Sequence, residues 1–121
     1  MTLHVSPFTI VAALLVGLAW WFLLRNRRGG PALTVQEVRD LCRAGAIVLD
    51  VRTPGEFSQG HAPGSRNIPL GDLKARIGEL DRGKPVLVCC ASGTRSGFAC
   101  RILRKAGFPE VHDLGSWTAI K

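Results

Sequence analysis

Two adjacent cysteines are the side chains of this sequence best placed to act as nucleophiles. Cys89 and Cys90 follow a continuous apolar run, and an amphipathic segment begins a few residues later. A cysteine between a strand and the N-terminus of a helix faces free backbone N–H groups and the positive end of the helix dipole. That environment favours the thiolate, which is the reactive form of the side chain. The sequence therefore predicts a reactive cysteine at this junction.

The segment that starts at Cys90 has the composition of an anion-binding loop. Gly93 lets the backbone curl so that neighbouring N–H groups converge on one point. Arg95 adds a fixed positive charge. Such a loop stabilises a sulfur anion, or an oxyanion bound above it. The predicted site residues are Cys90 as the nucleophile and Ala91, Ser92, Gly93, Thr94, Arg95 and Ser96 as the substrate-binding loop.

Strand geometry separates the roles of the two cysteines. Side chains alternate along a strand, and the run that ends at Cys89 is apolar at every position, as in a strand buried on both faces. We therefore predict that Cys89 packs in the core and that Cys90 faces the loop. Counted from Cys89, the arginine lies at the Cys-x5-Arg spacing of the cysteine phosphatases. Those enzymes usually have a glycine three residues after the cysteine, where this chain has Ser92.

The elements that must hold this loop alternate between helical and extended patterns. A capping box at Thr34 and Glu37 begins the first of them. The predicted helices cover 35–42, 54–57, 73–80 and 94–106, and the predicted strands cover 46–49, 67–68, 85–89 and 111–114. This order predicts an α/β fold, a parallel sheet with helices on both faces. Ligands of such sheets bind beyond the carboxyl ends of the strands, where the cysteine loop lies.

Residues 5–24 form an uncharged, largely apolar run. As a helix, twenty residues span about 30 Å, the thickness of the hydrocarbon core of a bilayer. Trp20 and Trp21 lie near its basic end, where interfacial aromatic residues are common. We therefore expect a membrane contact through residues 5–24, as one transmembrane helix that precedes the domain. A cleaved signal peptide is less favoured because no basic residue precedes the run and bulky side chains end it. A buried core helix is less favoured because it would be unusually long and one-sided for a chain of 121 residues.

Basic residues lie on one side of that run only. Arg25, Arg27 and Arg28 follow it directly, and no lysine or arginine precedes it. The positive-inside rule then predicts a single-pass membrane protein with its N-terminus outside and its domain in the cytoplasm, on the inner membrane in a bacterium. The expected organisation is an anchor with its basic flank at 1–28, a linker at 29–31 and a folded domain at 32–121.

The distribution of charge argues against a nucleic-acid partner. The 121 residues carry a net charge of +7, and the three arginines after the uncharged run supply +3 of it. The other charges are scattered, without a basic stripe that alternates with aromatic residues, so we expect no nucleic acid as a partner. The four cysteines include no CxxC pair. We therefore expect no structural metal and no cofactor, and reduced thiols in a reducing compartment.

Three short motifs follow one another in the domain. Asp50-Val51-Arg52 comes first, the stretch 60–69 with Gly60-His61-Ala62-Pro63-Gly64 comes second, and the loop Cys90–Ser96 comes third. They resemble the motifs of the rhodanese-type sulfurtransferases, which are commonly Asp-Val-Arg, Gly-His-Ile-Pro-Gly-Ala and Cys-Arg-Ser-Gly-x-Arg-Ser. The resemblance covers about 32–120, and three motifs in order are far more specific than one.

The resemblance implies a persulfide mechanism on Cys90. Its thiolate attacks the outer sulfur of a donor, which is a small sulfur-containing anion such as thiosulfate or a persulfide. The sulfur then passes to a thiol acceptor, or to cyanide in assays. We therefore predict an enzyme, a thiosulfate or persulfide sulfurtransferase.

Residues outside the loop are expected to support the site. Asp50 and Arg52 are interpreted as a structural pair that braces the end of the sheet, with a catalytic role as the less favoured alternative. His61 is interpreted as a hydrogen-bonding brace, with general acid–base catalysis as the alternative. Cys42 and Cys100 lie on helix faces that we expect to pack inward, and either could instead be a resolving thiol.

Two other functions stay open from the sequence. A cysteine phosphatase or arsenate reductase could use the same scaffold, because Cys89 and Arg95 have the Cys-x5-Arg spacing. A non-catalytic, protein-binding member of the fold is the other alternative. Members of that kind typically lack the loop cysteine, which this chain retains.

Overall fold

The computed structural model describes the backbone of residues 6–27 and 32–120, with side chains in 6–23 and 32–120. The chain divides into two units, Met1–Pro31 and Ala32–Lys121, which are considered separately. Arg28 and the predicted linker at 29–31 lie outside the described residues.

The first unit contains helix α1, Pro7–Arg27. Within the described part of the chain, no helix combines the length and the apolar character that crossing a bilayer requires. The predicted transmembrane anchor over 5–24 is therefore not supported.

The second unit is built on a parallel four-stranded sheet, as the alternation of patterns predicted. The strands are β1 (Ile47–Asp50), β2 (Arg66–Asn67), β3 (Val86–Cys90) and β4 (Val111–Ser116), in the spatial order β2-β1-β3-β4. The helices are α2 (Val35–Arg43), α3 (Pro54–Ser58), α4 (Leu73–Arg76) and α5 (Thr94–Lys105), with 3₁₀ turns at Leu70–Asp72, Ile77–Glu79 and Trp117–Ile120.

Capping boxes begin two of the helices. The Thr34 hydroxyl accepts the Glu37 N–H at the start of α2, and the Thr53 hydroxyl accepts the Glu56 N–H at the start of α3. In each box the glutamate carboxylate accepts a hydrogen bond from the backbone N–H of the threonine. Because these bonds satisfy N–H groups that a helix start leaves free, they fix where α2 and α3 begin.

The sheet separates two apolar cores, which is why its central strand β3 is apolar at every position. Val86, Val88 and Cys90 face the core that includes Leu103 of α5. The intervening Leu87 and Cys89 face the core that includes Val38 of α2. The side chains of the two adjacent cysteines therefore lie on opposite faces of the sheet, as the alternation predicted.

Three sequence-based expectations need correction. Cys42 is exposed in the last turn of α2, because Val38 and Leu41 supply the contacts of that helix with the core. The helix predicted over 73–80 is α4 followed by a 3₁₀ turn, although Leu73 and Leu80 are buried as expected. The last strand, predicted to end at 114, continues to Ser116 after an irregularity in its pairing with β3.

Candidate active site

The loop between β3 and α5 closes around the sulfur of Cys90. Gly93 has φ of +104°, a conformation that glycine adopts without a side-chain clash. This bend turns the Gly93 N–H back towards the strand, where it donates to Cys90 Sγ at 2.9 Å. The glycine that the sequence singled out therefore supplies a backbone hydrogen bond to the predicted nucleophile.

Ser96 forms the second wall around the sulfur. Its side chain is fully buried, and its Oγ lies 3.5 Å from Cys90 Sγ. The same hydroxyl donates to the Gly93 carbonyl at 2.9 Å. With a neutral thiol, Ser96 accepts the S–H proton. With a thiolate, rotation of the hydroxyl lets Ser96 donate to the sulfur instead.

The balance of burial and hydrogen bonding favours the Cys90 thiolate. Burial by itself raises the pKa of this thiol, since it disfavours the charged form. The Ser96 hydroxyl and the backbone N–H groups of Ser96, Gly93 and Ser92 oppose that effect and bring the pKa of Cys90 below its ordinary value. A nucleophile with a lowered pKa is the property that covalent catalysis requires.

The other buried cysteines behave in the opposite way. Burial, with a smaller contribution from the Asp50 charge, raises the pKa of Cys89 to about 12. Burial, with a smaller contribution from Asp113, raises the pKa of Cys100 to about 12. Thiols with such values stay protonated at neutral pH and are poor nucleophiles. Cys90 is thus distinguished from both by the hydrogen bonds that its sulfur accepts.

The sulfur lies below an exposed loop. Cys90 is 0% exposed, while Ala91, Ser92 and Thr94 are exposed. The nucleophile is therefore buried next to loop residues that solvent can reach.

The Arg95 guanidinium forms an ion pair with the Glu56 carboxylate of α3. Its Nη1 and Nη2 bond Oε1 and Oε2 of Glu56 at 2.6 and 2.9 Å. Hydrogen bonding from Arg95, with help from the Thr53 backbone, lowers the pKa of Glu56 to about 2. The ion pair therefore joins the start of α5 to the capping box of α3.

Asp50 and Arg52 form a buried pair at the carboxyl end of β1. Arg52 Nη2 lies 2.7 Å from Asp50 Oδ2, and its Nε lies 3.0 Å from both carboxylate oxygens. Arg52 also donates to the Gly60 carbonyl at 2.8 Å, and its guanidinium lies 4.7 Å from the Trp117 ring centroid. This pair ties β1, the loop before His61 and the chain end together, the geometry of a brace.

His61 lies on the same side of the molecule as that brace. Its Nδ1 is 2.9 Å from the Phe57 carbonyl, and its ring stacks on that of Phe57 with centroids 3.8 Å apart. Both contacts are local, so this arrangement fits the hydrogen-bonding role that the sequence predicted.

Sequence reasoning missed the roles of Glu56 and Trp117. Glu56 occupies the third position after Thr53, so it was recognisable as a capping residue, but its bond to Arg95 spans 39 positions. Trp117 covers Arg52 from the end of the chain, and no local pattern signals that contact. Among the described residues there is no group of three or more His, Cys, Asp or Glu side chains that could hold a metal.

Comparison with known proteins agrees with this geometry. Residues 34–121 match the family described as the rhodanese-like domain. The uncharacterized protein YqhL of Bacillus subtilis is 46% identical over 82 residues, which cover 68% of this chain but only 64% of that protein. The thiosulfate sulfurtransferase GlpE of Ectopseudomonas mendocina is 35% identical over 82 residues, 68% of this chain and 75% of the relative.

A solved structure shows the same architecture. The crystal structure of a rhodanese-related protein from Thermoplasma volcanium superimposes with a TM-score of 0.65 and 31% identity. The superposition covers 74% of this chain and 88% of that one.

Proposed function

Because the chain belongs to the rhodanese-like domain family, we propose that it is a sulfurtransferase that carries sulfane sulfur as a persulfide on Cys90. One observation carries the proposal: Cys90 Sγ accepts the Gly93 N–H at 2.9 Å at a strand-to-helix junction, in a setting that lowers the pKa of the thiol. The GlpE relative, named a thiosulfate sulfurtransferase, supports the same reaction class.

The first half-reaction forms the persulfide. The Cys90 thiolate attacks the outer sulfur of thiosulfate, or of a persulfide donor, and a new S–S bond forms. The S–S bond of the donor breaks, and its electron pair leaves on sulfite or on the donor thiolate. The loop N–H groups that stabilise the thiolate also face the negative charge that the donor brings into the loop.

The second half-reaction transfers the sulfur from Cys90 to the acceptor. A thiolate acceptor, or cyanide, attacks the outer sulfur of the persulfide, and the Cys90–S bond breaks. The electron pair returns to Cys90 as a thiolate, so the enzyme ends each cycle in its starting state. No other oxidant or reductant is required in either half-reaction.

Arg95 acts in this account as a positioning residue. Its guanidinium is already neutralised by the Glu56 carboxylate, so backbone N–H groups are the main partners of the bound anion. Arg95 fixes the first turn of α5, and with it the N–H groups of the loop.

The phosphatase alternative requires Cys89 as the nucleophile. Cys89 is 0% exposed, packs in the core on the α2 side and has a pKa raised to about 12. These properties favour the sulfurtransferase.

Two assays on the full chain test the proposal. We expect thiosulfate:cyanide transfer, measured as thiocyanate, and no hydrolysis of p-nitrophenyl phosphate above the buffer rate. Hydrolysis of the phosphate ester without thiocyanate formation would contradict the proposal and support the phosphatase. Inactivity in both assays, on a protein with native circular dichroism, would instead support the non-catalytic module.

A further inference from the structure

A groove between α4 and α5 has an apolar floor and a basic rim. Its volume is about 380 Å³. Ile77, Ile102 and Ala106 form the floor, and the side chains at the rim are Lys74, Arg101 and Lys105. The groove is a second surface feature, separate from the Cys90 loop, and the proposed reaction does not use it.

An aromatic side chain connects this groove with the site. Phe98 of α5 is 52% exposed, and the Arg101 guanidinium lies 5.4 Å from the centroid of its ring. Thr94, Phe98 and Arg101 follow one another at the four- and three-residue intervals that place side chains on one face of a helix. One continuous strip of α5 therefore runs from the loop, past an exposed ring, to the basic groove.

The charges of the rim cations decide which ligands this groove suits. Among the described residues, no carboxylate forms a salt bridge with Lys74, Arg101 or Lys105. Glu79, the acid that follows α4, is held by Arg66 and Arg76. Three cations around an apolar floor are complementary to a segment that carries both carboxylates and apolar side chains.

We propose that this groove and Phe98 bind an acidic, apolar segment of a partner protein whose thiol exchanges sulfur with Cys90. The inference rests on the proposed function and names the class of its physiological acceptor or donor. From Ile102 to Thr94 the helix rises about 12 Å, a distance that about four extended residues cover. A segment seated in the groove can therefore present a cysteine to the loop.

A binding measurement on wild-type protein tests the surface without any sulfur transfer. The probe is a dye-labelled peptide, Leu-Glu-Glu-Leu-Leu-Glu, compared with the same peptide carrying lysine for glutamate. We expect the acidic peptide to bind about tenfold more tightly at low salt, with the difference shrinking as salt rises. Equal binding of the two peptides, or tighter binding of a DNA oligonucleotide, would overturn the inference.

A matched pair of triple variants separates the groove from general charge. In the first, Lys74, Arg101 and Lys105 are each changed to glutamine. In the second, the exposed cations Arg39, Arg43 and Lys84 are changed to glutamine. The net charge is identical, so only the first variant should lose the preference for the acidic peptide. Equal loss in both would contradict a specific surface.

A second assay measures whether the peptide also accepts sulfur from the enzyme. The acidic peptide is extended by four glycines and a cysteine, at either end in separate syntheses. At least one form should have a KM about tenfold below that of its lysine counterpart when it accepts sulfur from thiosulfate. Equal KM values, with normal thiocyanate formation, would overturn the inference and leave the proposed function intact. Loss of thiocyanate formation itself would contradict the proposed function, while the binding result stands separately.

Discussion

At the scale of single residues, the proposed activity depends on the lowered pKa of one buried thiol, Cys90. Cys90 and Cys89 are both 0% exposed, and burial by itself raises the pKa of each thiol. Only Cys90 receives hydrogen bonds from a curled loop, and these reverse the effect of burial. The Ser96 hydroxyl is the largest of the contributions that lower its pKa.

Replacing Ser96 with alanine should therefore raise the pKa of Cys90. The rate of persulfide formation at neutral pH should fall about tenfold, the effect of losing one hydrogen bond to a charged group. The acid limb of the pH–rate profile, where the rate rises as the thiol ionises, should move to higher pH because the Cys90 thiolate then forms only there. Ser92→Ala is the control: it removes an exposed hydroxyl and keeps the backbone N–H that acts on Cys90. An unshifted profile in Ser96→Ala would count against this account.

The Glu56–Arg95 ion pair predicts a stability difference that depends on pH. The pKa of Glu56 is lowered from 4.5 to about 2 in the folded protein, so its contribution is complete above pH 4.5 and is lost as the pH falls towards 2. The Tm of Glu56→Gln should lie below that of wild type at pH 6, and the gap should shrink as the pH falls below 4.5 and through about 2.

A second glutamate supplies the control for that variant. Glu37 occupies the same capping position in α2, and no arginine of the described part of the chain forms a salt bridge with it. Glu37→Gln should lower the Tm through the cap alone, whereas Glu56→Gln should also lower kcat by loosening the loop. Equal kcat losses in both variants would argue that Arg95 has no positioning role.

At the scale of elements, the loop conformation and the start of α5 are one structural unit. Gly93 has the positive φ that aims an N–H at Cys90, and the helix begins at the next residue. An alanine at this position would be strained even though its Cβ would lie an ordinary 3.6 Å from the nearest atom, Gly115 Cα. The cost comes from the backbone and not from crowding.

Two glycine variants four residues apart test that distinction. Gly93→Ala should destabilise the domain by at least about 1 kcal/mol and lower the rate of persulfide formation. Gly97→Ala, inside α5 where the added Cβ makes only an ordinary contact with Asp113, should stabilise it by up to about 1 kcal/mol. Urea unfolding followed by circular dichroism measures both. A stabilised Gly93→Ala protein would contradict the strain argument.

The elements were largely predictable because their signals are local. The capping box at Thr34 fixed the start of α2, and the apolar run before Cys90 identified the central strand. The helix over 73–80 was predicted from the spacing of Leu73, Ile77 and Leu80. The prediction of one continuous α-helix was wrong, because the same spacing also suits a short α-helix that is followed by a 3₁₀ turn.

At the scale of the whole molecule, local patterns were less informative. Both apolar cores consist of residues from the second unit. The three family motifs had identified this unit as the folded domain. The Glu56–Arg95 and Arg52–Trp117 contacts join distant segments, and only the folded sheet brings them together. The anchor predicted from hydropathy is not supported among the described residues.

The cellular location stays a prediction of the sequence, and we propose the cytoplasm for the rhodanese-like unit. The sequence feature behind this proposal is the cysteine pattern, which includes no CxxC pair and favours reduced thiols. Cys42 is exposed and offers a probe. A membrane-impermeant maleimide should label Cys42 in lysed cells and not in intact cells, with Cys42→Ser as the unlabelled control. Labelling in intact cells would contradict this location.

The central claim is that Cys90, and not its neighbour, carries the sulfur. Intact-protein mass spectrometry after incubation with thiosulfate measures this directly, because a persulfide adds the mass of one sulfur atom. We predict this increase in wild type and in Cys89→Ser, and none in Cys90→Ser. Cys89→Ser should lose about 1–3 kcal/mol of stability by burying a hydroxyl in an apolar core. A sulfur adduct on folded Cys90→Ser, or none on folded Cys89→Ser, would contradict the account.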